Sequence, residues 1–322
     1  MVPQQAIDIT QTTDHRQDMS RFCWLVILGV IGLFALSELA VRVGLKRISQ
    51  IEGRIDAEHQ AAIKSVRSGG PPPQKVLVVG NSLLLEGVNF PDLRKAMAPE
   101  FAISRYVIEQ TSYLDWYYGL RRLYAEGVHP DIVVLTMDLP NMLRNTVRGE
   151  FFAYHMMQLS DVVNVSRDAN LPPTETFSLI LGRFSAFYAT RLETRKVVLA
   201  RLIPSVKDLV PYMIPAVESK PPSRNFAVGF VGRRLVQFND LVRQHGGCLI
   251  FVVPATVDPL GPRYIQEAGS GVGVPVIVPV APALLSAADF REDGYHSTPA
   301  SADRYTAALA PALRQASAAA CR

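Results

Sequence analysis

Cysteine is scarce in this chain: Cys23, Cys248 and Cys321 are the only three in 322 residues. An odd number, widely scattered, speaks against a disulfide framework and against a thiolate metal site, so all three are expected to be structural or incidental thiols. Charged residues make up only 19% of the chain, and the net charge of +4 is spread along it without a basic block carrying interleaved aromatics. The electrostatic footprint of a nucleic-acid binder is therefore missing, and no nucleic-acid partner is expected. The histidines lack metal-ligand spacing such as H-E-x-x-H. The glycine-rich stretch 269–275 neither follows the first strand nor opens a helix, so it reads as a loop and not as a nucleotide fingerprint. Neither a metal nor a cofactor is expected.

One long hydrophobic run stands out. Residues 22–41 carry a single charge, Glu38. This is about the 20 residues a helix needs to cross a bilayer. Trp24 lies near one end, where an interfacial aromatic belongs. No small-residue cleavage pattern follows, and no lipoprotein-type box precedes Cys23. The run is expected to be an uncleaved anchor in contact with membrane lipid. Residues 1–20 are polar and expected to be disordered, 21–44 form the anchor, and 45–74 form a stalk with a helix over 51–66 and a Pro/Gly linker at 68–73. Arg16 and Arg21 before the run face Arg42, Lys46 and Arg47 after it, a count that leans weakly toward a cytoplasmic C-terminal domain. A lone N-terminal anchor ahead of a large domain more commonly places that domain outside, and the outer face is the expectation adopted.

From residue 75 onward the pattern alternates. Short apolar runs at 75–80, 103–109, 131–137, 248–253 and 274–280 predict strands. Helical stretches at 90–97, 113–127, 224–245, 264–268 and 300–316 separate or close them. Such alternation implies parallel βαβ units and a three-layer α/β/α, flavodoxin-like sheet of about five strands over 75–322. Residues 141–223 form a helical insertion broken by prolines. Its aromatics Phe151, Phe152, Tyr154, Phe184, Phe187 and Tyr188 are candidates for lining a cleft, against the plainer role of packing the insertion on the sheet. Part of it is a candidate for resting on the membrane surface.

Two short motifs carry the candidate chemistry. The first strand ends in Gly80-Asn81-Ser82, and the last is followed by Asp293-Gly-Tyr-His296. In a parallel sheet both lie at the C-terminal edge, where open α/β sheets place their ligands. A serine needs a base in reach, and that base needs an orienting carboxylate. Asp-x-x-His on a turn supplies both: the carboxylate bonds Nδ1 while Nε2 points at the serine. Separately each signal is weak, since Ser82 can be a helix cap, Asp293 a turn cap and His296 a surface histidine. Their order along the chain raises the odds.

On these motifs, VVGNSL and DGYHSTP, the chain resembles the SGNH (GDSL-type) hydrolases over residues 75–316. The resemblance implies Ser82 as nucleophile, His296 as base and Asp293 as its orienter. The family's oxyanion-hole glycine after strand two is replaced by Glu109-Gln-Thr-Ser112, so a backbone N–H of Thr111 or Ser112 would substitute beside that of Ser82. The family's asparagine after strand three has its counterpart in Asn141, three residues past Asp138. The resemblance further implies acyl transfer by a single-pass protein of the bacterial inner membrane with a periplasmic catalytic domain. It would remove or add ester-linked acyl groups on cell-envelope or exopolysaccharide glycan, with other polysaccharide-biosynthesis or acetylation proteins as partners. A different class stays open, motivated by the divergent middle motifs: a catalytically silent assembly or glycan-binding subunit. A third, a phosphate or nucleotide binder using the 80–82 turn, would leave Asp293 and His296 far from Ser82.

Overall fold

A computed structural model describes residues 9–64, 73–203 and 222–321. Helix α1 spans Ile9–Ala40. Neither proline nor glycine occurs in 9–28, so residues 9–20, expected in a disordered tail, continue the helix; residues 1–8 lie outside those described. The stretch Arg21–Ile48 is long and apolar enough to cross a membrane, and its apolar window is 0% buried. A core helix of that composition would be covered.

A helical turn, Val41–Leu45, leads toward α2, Gln50–Ile63, whose N-cap Ser49 accepts from the Glu52 N–H. Residues 50–63, read as part of a stalk, pack on the sheet, with Ile55 and Ala62 fully buried. The reason lies in the edge strand β2, Phe101–Val107. An edge strand presents unpaired backbone groups that must be satisfied. Glu58 accepts from the Val107 N–H at 2.9 Å, and Arg54, one turn earlier, donates to the Val107 carbonyl at 2.8 Å. Glu58 also holds Arg105 at 2.7 Å and Arg54 at 3.2 Å. Removing this buried carboxylate takes the partner from the Arg105 guanidinium and from the Val107 N–H, and one of its partners from Arg54. Glu58→Ala is expected to destabilise the protein by about 2–3 kcal/mol, read as a lowered midpoint in urea unfolding.

The sheet is built from β1 (Gln74–Gly80), β2, β3 (Ile132–Thr136), β4 (Cys248–Val252) and β5 (Val276–Ile277), all parallel, in the order β2-β1-β3-β4-β5. This is the flavodoxin-like order, in which strand succession reverses between β1 and β3. The continuous apolar runs arise because both faces are covered. Leu77, Val79, Val133, Leu135, Leu249 and Phe251 face one core, and Val76, Val78, Ile132, Val134, Ile250 and Val252 face the other. The second core is closed by α3 (Ser82–Gly87), α4 (Phe90–Met97) and the C-terminal helix, α13 below. The first takes α5 (Tyr113–Ala125) and the insertion helices α6 (Leu139–Leu143), α7 (Gly149–His155), α8 (Val162–Asp168) and α9 (Pro173–Phe184). Helix α10 (Ala186–Leu202) follows α9 after a break at Ser185, whose extended backbone and side chain cap it. After α11 (Arg224–Gln244) and α12 (Leu260–Val272), α13 (Pro299–Ala320) closes the domain. The segment 204–221, including part of the expected insertion, lies outside the described residues.

Three expectations need correction. Strand β5 covers two residues instead of seven, because prolines at 275 and 279 interrupt its hydrogen-bonding edge. The short helix expected over 264–268 extends through Val272, so the first half of the glycine loop is helical. Glycine is required there by packing: a Cβ on Gly269 would lie 2.3 Å from Val276 Cγ2. Finally, Cys248 and Cys321 are not separate thiols but a disulfide, with Cα atoms 5.5 Å apart. They are 73 residues apart in sequence, but α13 runs from the C-terminal edge of the sheet back to the start of β4. Cys23 is free and exposed.

Candidate functional site

The site forms at the switch point, where β1 ends. Gly80 brings β1 against β3 so closely that a Cβ there would lie 2.6 Å from the Thr136 carbonyl oxygen. Asn81 then turns extended and caps α3, its Oδ1 accepting from the Leu83 N–H at 3.1 Å. The capping role expected as one option for Ser82 is taken by its neighbour, and the Ser82 hydroxyl is left to bond elsewhere. His296 Nε2 lies 2.9 Å from Ser82 Oγ. His296 Nδ1 lies 2.7 Å from Asp293 Oδ2. Ser82, His296 and Asp293 thus form one continuous hydrogen-bonded chain, and the reading that needed them far apart loses its geometry.

The loop that holds Asp293 and His296 is tied at both ends. Phe290 and Ser297 bridge antiparallel, the Arg291 N–H donates to the His296 carbonyl at 2.8 Å, and Thr298 caps α13. Arg291 also pairs with Glu86 on α3, the helix that begins with Ser82. Asp293 Oδ1 accepts from the Tyr295 and His296 N–H groups at 2.9 Å each. Partial burial pushes the Asp293 carboxyl up, but the bonds from the His296 ring and from the two N–H groups outweigh it and hold the carboxyl at about 2, below its ordinary 3.8. A depressed folded-state value stabilises the fold above the unfolded value and stops doing so as pH falls through the folded one. Wild type is therefore expected to lose more melting temperature between pH 4 and pH 2 than Asp293→Asn does. Equal losses in a thermal-melt series would show that the bonds around Asp293 contribute nothing to the fold.

The residues expected to complete an oxyanion hole are placed less simply. Ser112 forms a capping box with Asp115, and its N–H donates to Asp115 Oδ2 at 2.7 Å. That N–H is engaged, so Ser112 does not supply a donor. Thr111 is buried: its Oγ1 donates to the Ile108 carbonyl at 2.6 Å and accepts from Trp116 Nε1 at 2.8 Å. Its carbonyl accepts from Asn81 Nδ2 at 3.2 Å, which ties this loop to the end of β1. Asn141 Nδ2 donates to Asp138 Oδ1 at 2.6 Å and to Tyr295 Oη at 3.2 Å, so its amide hydrogens are taken.

Sequence reasoning missed three features. Gln110 adopts φ +58°, the left-handed region that favours glycine, at the place after β2 where a glycine was sought. Its residue type gave no signal. Tyr295 donates to Asp138 Oδ2 at 2.8 Å and so fastens the Asp293–His296 loop to the end of β3. Burial pushes the Asp138 carboxyl above its ordinary range, against the bonds from Tyr295 and Asn141. Asn81, adjacent to the serine, is the cap. Of the insertion aromatics, Phe151 and Phe152 are core residues, Phe187 meets Phe34 of α1 edge-on with centroids 6.5 Å apart, and Tyr154 lines a polar cavity beside the anchor, away from Ser82. Glu38, the lone charge in the apolar run, accepts from Ser185 Oγ and the Ala186 N–H at 2.8 Å each and from the Phe187 N–H at 3.1 Å, capping α10.

No family model and no curated protein matches the chain. Among solved structures it is similar to TesA, at 12% identity and a TM-score of 0.38 over 74% of this chain and 98% of that one. It is similar to a putative acylhydrolase from Bacteroides fragilis, at 10% identity and a TM-score of 0.41 over 81% and 96%. It is also similar to a mutant of Axe2, an acetyl-xylooligosaccharide esterase from Geobacillus, at 14% identity and a TM-score of 0.36 over 76% and 94%.

Proposed function

We propose that this chain is an SGNH-type serine acyl esterase or acyltransferase, anchored in the membrane by α1. The observation that carries this reading is the hydrogen-bonded chain Ser82–His296–Asp293 at the switch point of a parallel sheet. In the proposed reaction His296 Nε2 takes the Ser82 proton as Oγ attacks an ester carbonyl. Asp293, held ionised, keeps the proton on Nδ1 and stabilises the imidazolium. The tetrahedral oxyanion would be met by the N–H of Ser82, which as the first residue of α3 has no intrahelical acceptor, and by that of Gln110. Neither has another acceptor among the described residues. His296 then returns the proton to the leaving alcohol. Water completes hydrolysis of the acyl-enzyme; a sugar hydroxyl completes transfer.

The substrate is proposed to be acylated glycan of the bacterial cell envelope, with the domain on the periplasmic side of the inner membrane. The Cys248–Cys321 disulfide supports that side, since such bonds persist in oxidising compartments, and it weighs against the positive-inside count. A second reading, a catalytically silent glycan-binding or assembly subunit, is favoured by one observation: the Asn141 amide hydrogens are taken by Asp138 and Tyr295. A fluorophosphonate probe separates the two. Labelling of wild type but not of Ser82→Ala supports the enzyme, whereas no labelling of folded wild type supports the silent subunit. For an active protein, release of acetate to water against its capture by added oligosaccharide separates hydrolysis from transfer.

A further inference from the structure

A polar cavity lies where the anchor meets the domain, sharing no residue with the Ser82–His296–Asp293 site. It has a volume of about 220 Å³, well above the roughly 10–15 Å³ that one water needs. Arg42, Lys46, Arg122 and Arg183 line it against the carboxylates of Glu52 and Asp56. Most of these charges are matched within the protein. Arg42 bonds Glu38 at 2.6 Å and the Phe184 carbonyl at 2.9 Å, and Lys46 pairs with Asp56. Arg122 bonds Glu126 at 2.8 Å and the Tyr154 carbonyl at 2.6 Å. Glu52 Oε2 lies 3.3 Å from His155 Nε2.

Arg183 is different. Its Nε is buried and meets no hydrogen-bond partner among the described residues. Burial pushes its guanidinium below the ordinary range, and the neighbouring Arg122 pushes the same way. A buried guanidinium donor left unmade carries a penalty that an anion would remove. The other three cations of the wall, Arg42, Lys46 and Arg122, each have a carboxylate partner, so Arg183 is the cation that an anion in the cavity would complete. Two other buried atoms beside the cavity meet no hydrogen-bond partner among the described residues, Glu52 Oε1 and His155 Nε2, and these two side chains lie against each other, with Glu52 Oε2 3.3 Å from His155 Nε2.

The position of the cavity narrows the ligand class. On α9, Phe177, Leu181 and Phe184 recur at i, i+4 and i+7 and are 59%, 39% and 61% exposed. The end of this stripe lies by the end of the apolar run, since Arg42 donates to the Phe184 carbonyl at 2.9 Å, and Glu38 and Phe34 fasten α1 to the start of α10. Arg42 and Lys46 follow the end of the apolar run, at the depth where lipid headgroups lie.

We propose that this cavity binds a phosphate group, with Arg183 donating to it and Lys46 and Arg122 beside it. A guanidinium fork makes short, charge-assisted and often paired hydrogen bonds to phosphate oxygens. The phosphate is carried by an anionic lipid or is free; the recognition chemistry is shared. The lipid form rests on the reading of α1 as a membrane anchor, while binding of free phosphate is independent of it and of any acyl chemistry.

The test uses the full-length chain in detergent micelles, with thermal unfolding followed at matched ionic strength. Dihexanoyl phosphatidic acid, inorganic phosphate and dihexanoyl glycerol, the same lipid without its phosphate, are added separately. At a concentration about 100-fold above Kd, a bound phosphate source is expected to raise Tm by roughly 5–10 °C, and dihexanoyl glycerol by nothing. A shift with phosphatidic acid alone identifies a headgroup site, and an equal shift with inorganic phosphate identifies a free-phosphate site. Arg183→Ala is expected to abolish the shift, and Arg183→Lys to restore part of it. Should Arg183→Ala fail to fold, Lys46→Gln, at a side chain 46% exposed, carries the comparison and is expected to reduce the shift. No shift from either phosphate source, or a shift that survives these variants unchanged, overturns the proposal.

Discussion

Ser82→Ala is expected to reduce ester hydrolysis by on the order of 10⁴–10⁶-fold in kcat, while the melting temperature stays where it was. The first half follows from chemistry. Ser82 Oγ is the atom that His296 Nε2 touches at 2.9 Å, and alanine has nothing to give up a proton or to form the acyl-enzyme. The second half follows from local structure. The cap of α3 comes from Asn81 Oδ1 and not from the serine, so removing the hydroxyl leaves the strand–turn–helix intact. His296→Ala should cost about as much, and the double variant little more, because members of one relay do not act additively. Initial rates on p-nitrophenyl acetate check all three. A folded Ser82→Ala protein that keeps a tenth of the wild-type rate would sink the assignment of the nucleophile.

Cys321→Ser is expected to have the largest effect on stability, up to about 4 kcal/mol. The cross-link closes a loop whose ends are 73 residues apart, and it joins the first residue of β4 to the end of α13. Freeing that end restores chain entropy to the unfolded state and lets the last turn of α13 fray from the sheet. For a domain of this size the loss corresponds to a fall in Tm of roughly 8–16 °C. Dithiothreitol should lower wild type by the same amount and leave Cys321→Ser unmoved. A wild-type melt indifferent to reductant would mean that the two thiols are not joined in the protein. Cys248→Ser alone and both substitutions together should match Cys321→Ser, since each breaks the same single bond.

These two variants mark the division between what chain order and what three-dimensional packing supply. The strands were legible because each is an apolar run covered on both faces; the observed parallel sheet differs from expectation chiefly at its proline-bounded edge. The juxtaposition of Ser82 with Asp293 and His296 also follows from order, since the end of the first parallel strand and the loop after the last one share an edge. The apolar run was legible by length and composition alone.

What packing decided could not be read locally. The cysteines pair because α13 crosses the sheet from the site to the start of β4, a distance that sequence separation does not encode. The helix 260–272 carries glycine at 269 because Val276 leaves no room there for a Cβ. Residues 50–63 pack on the sheet because the outer groups of Val107 need a carboxylate and a guanidinium. Around Ser82, a left-handed Gln110 depends on a backbone torsion, and an Asn141 bound to Tyr295 and a Tyr295 bound to Asp138 depend on partners more than a hundred residues apart. The sequence by itself determined the strands, the apolar helix and which residues meet at the edge of the sheet, because periodicity and connection order act along the chain. Only the tertiary structure decided which donors at that edge remain free, because that depends on which side chains have already satisfied one another.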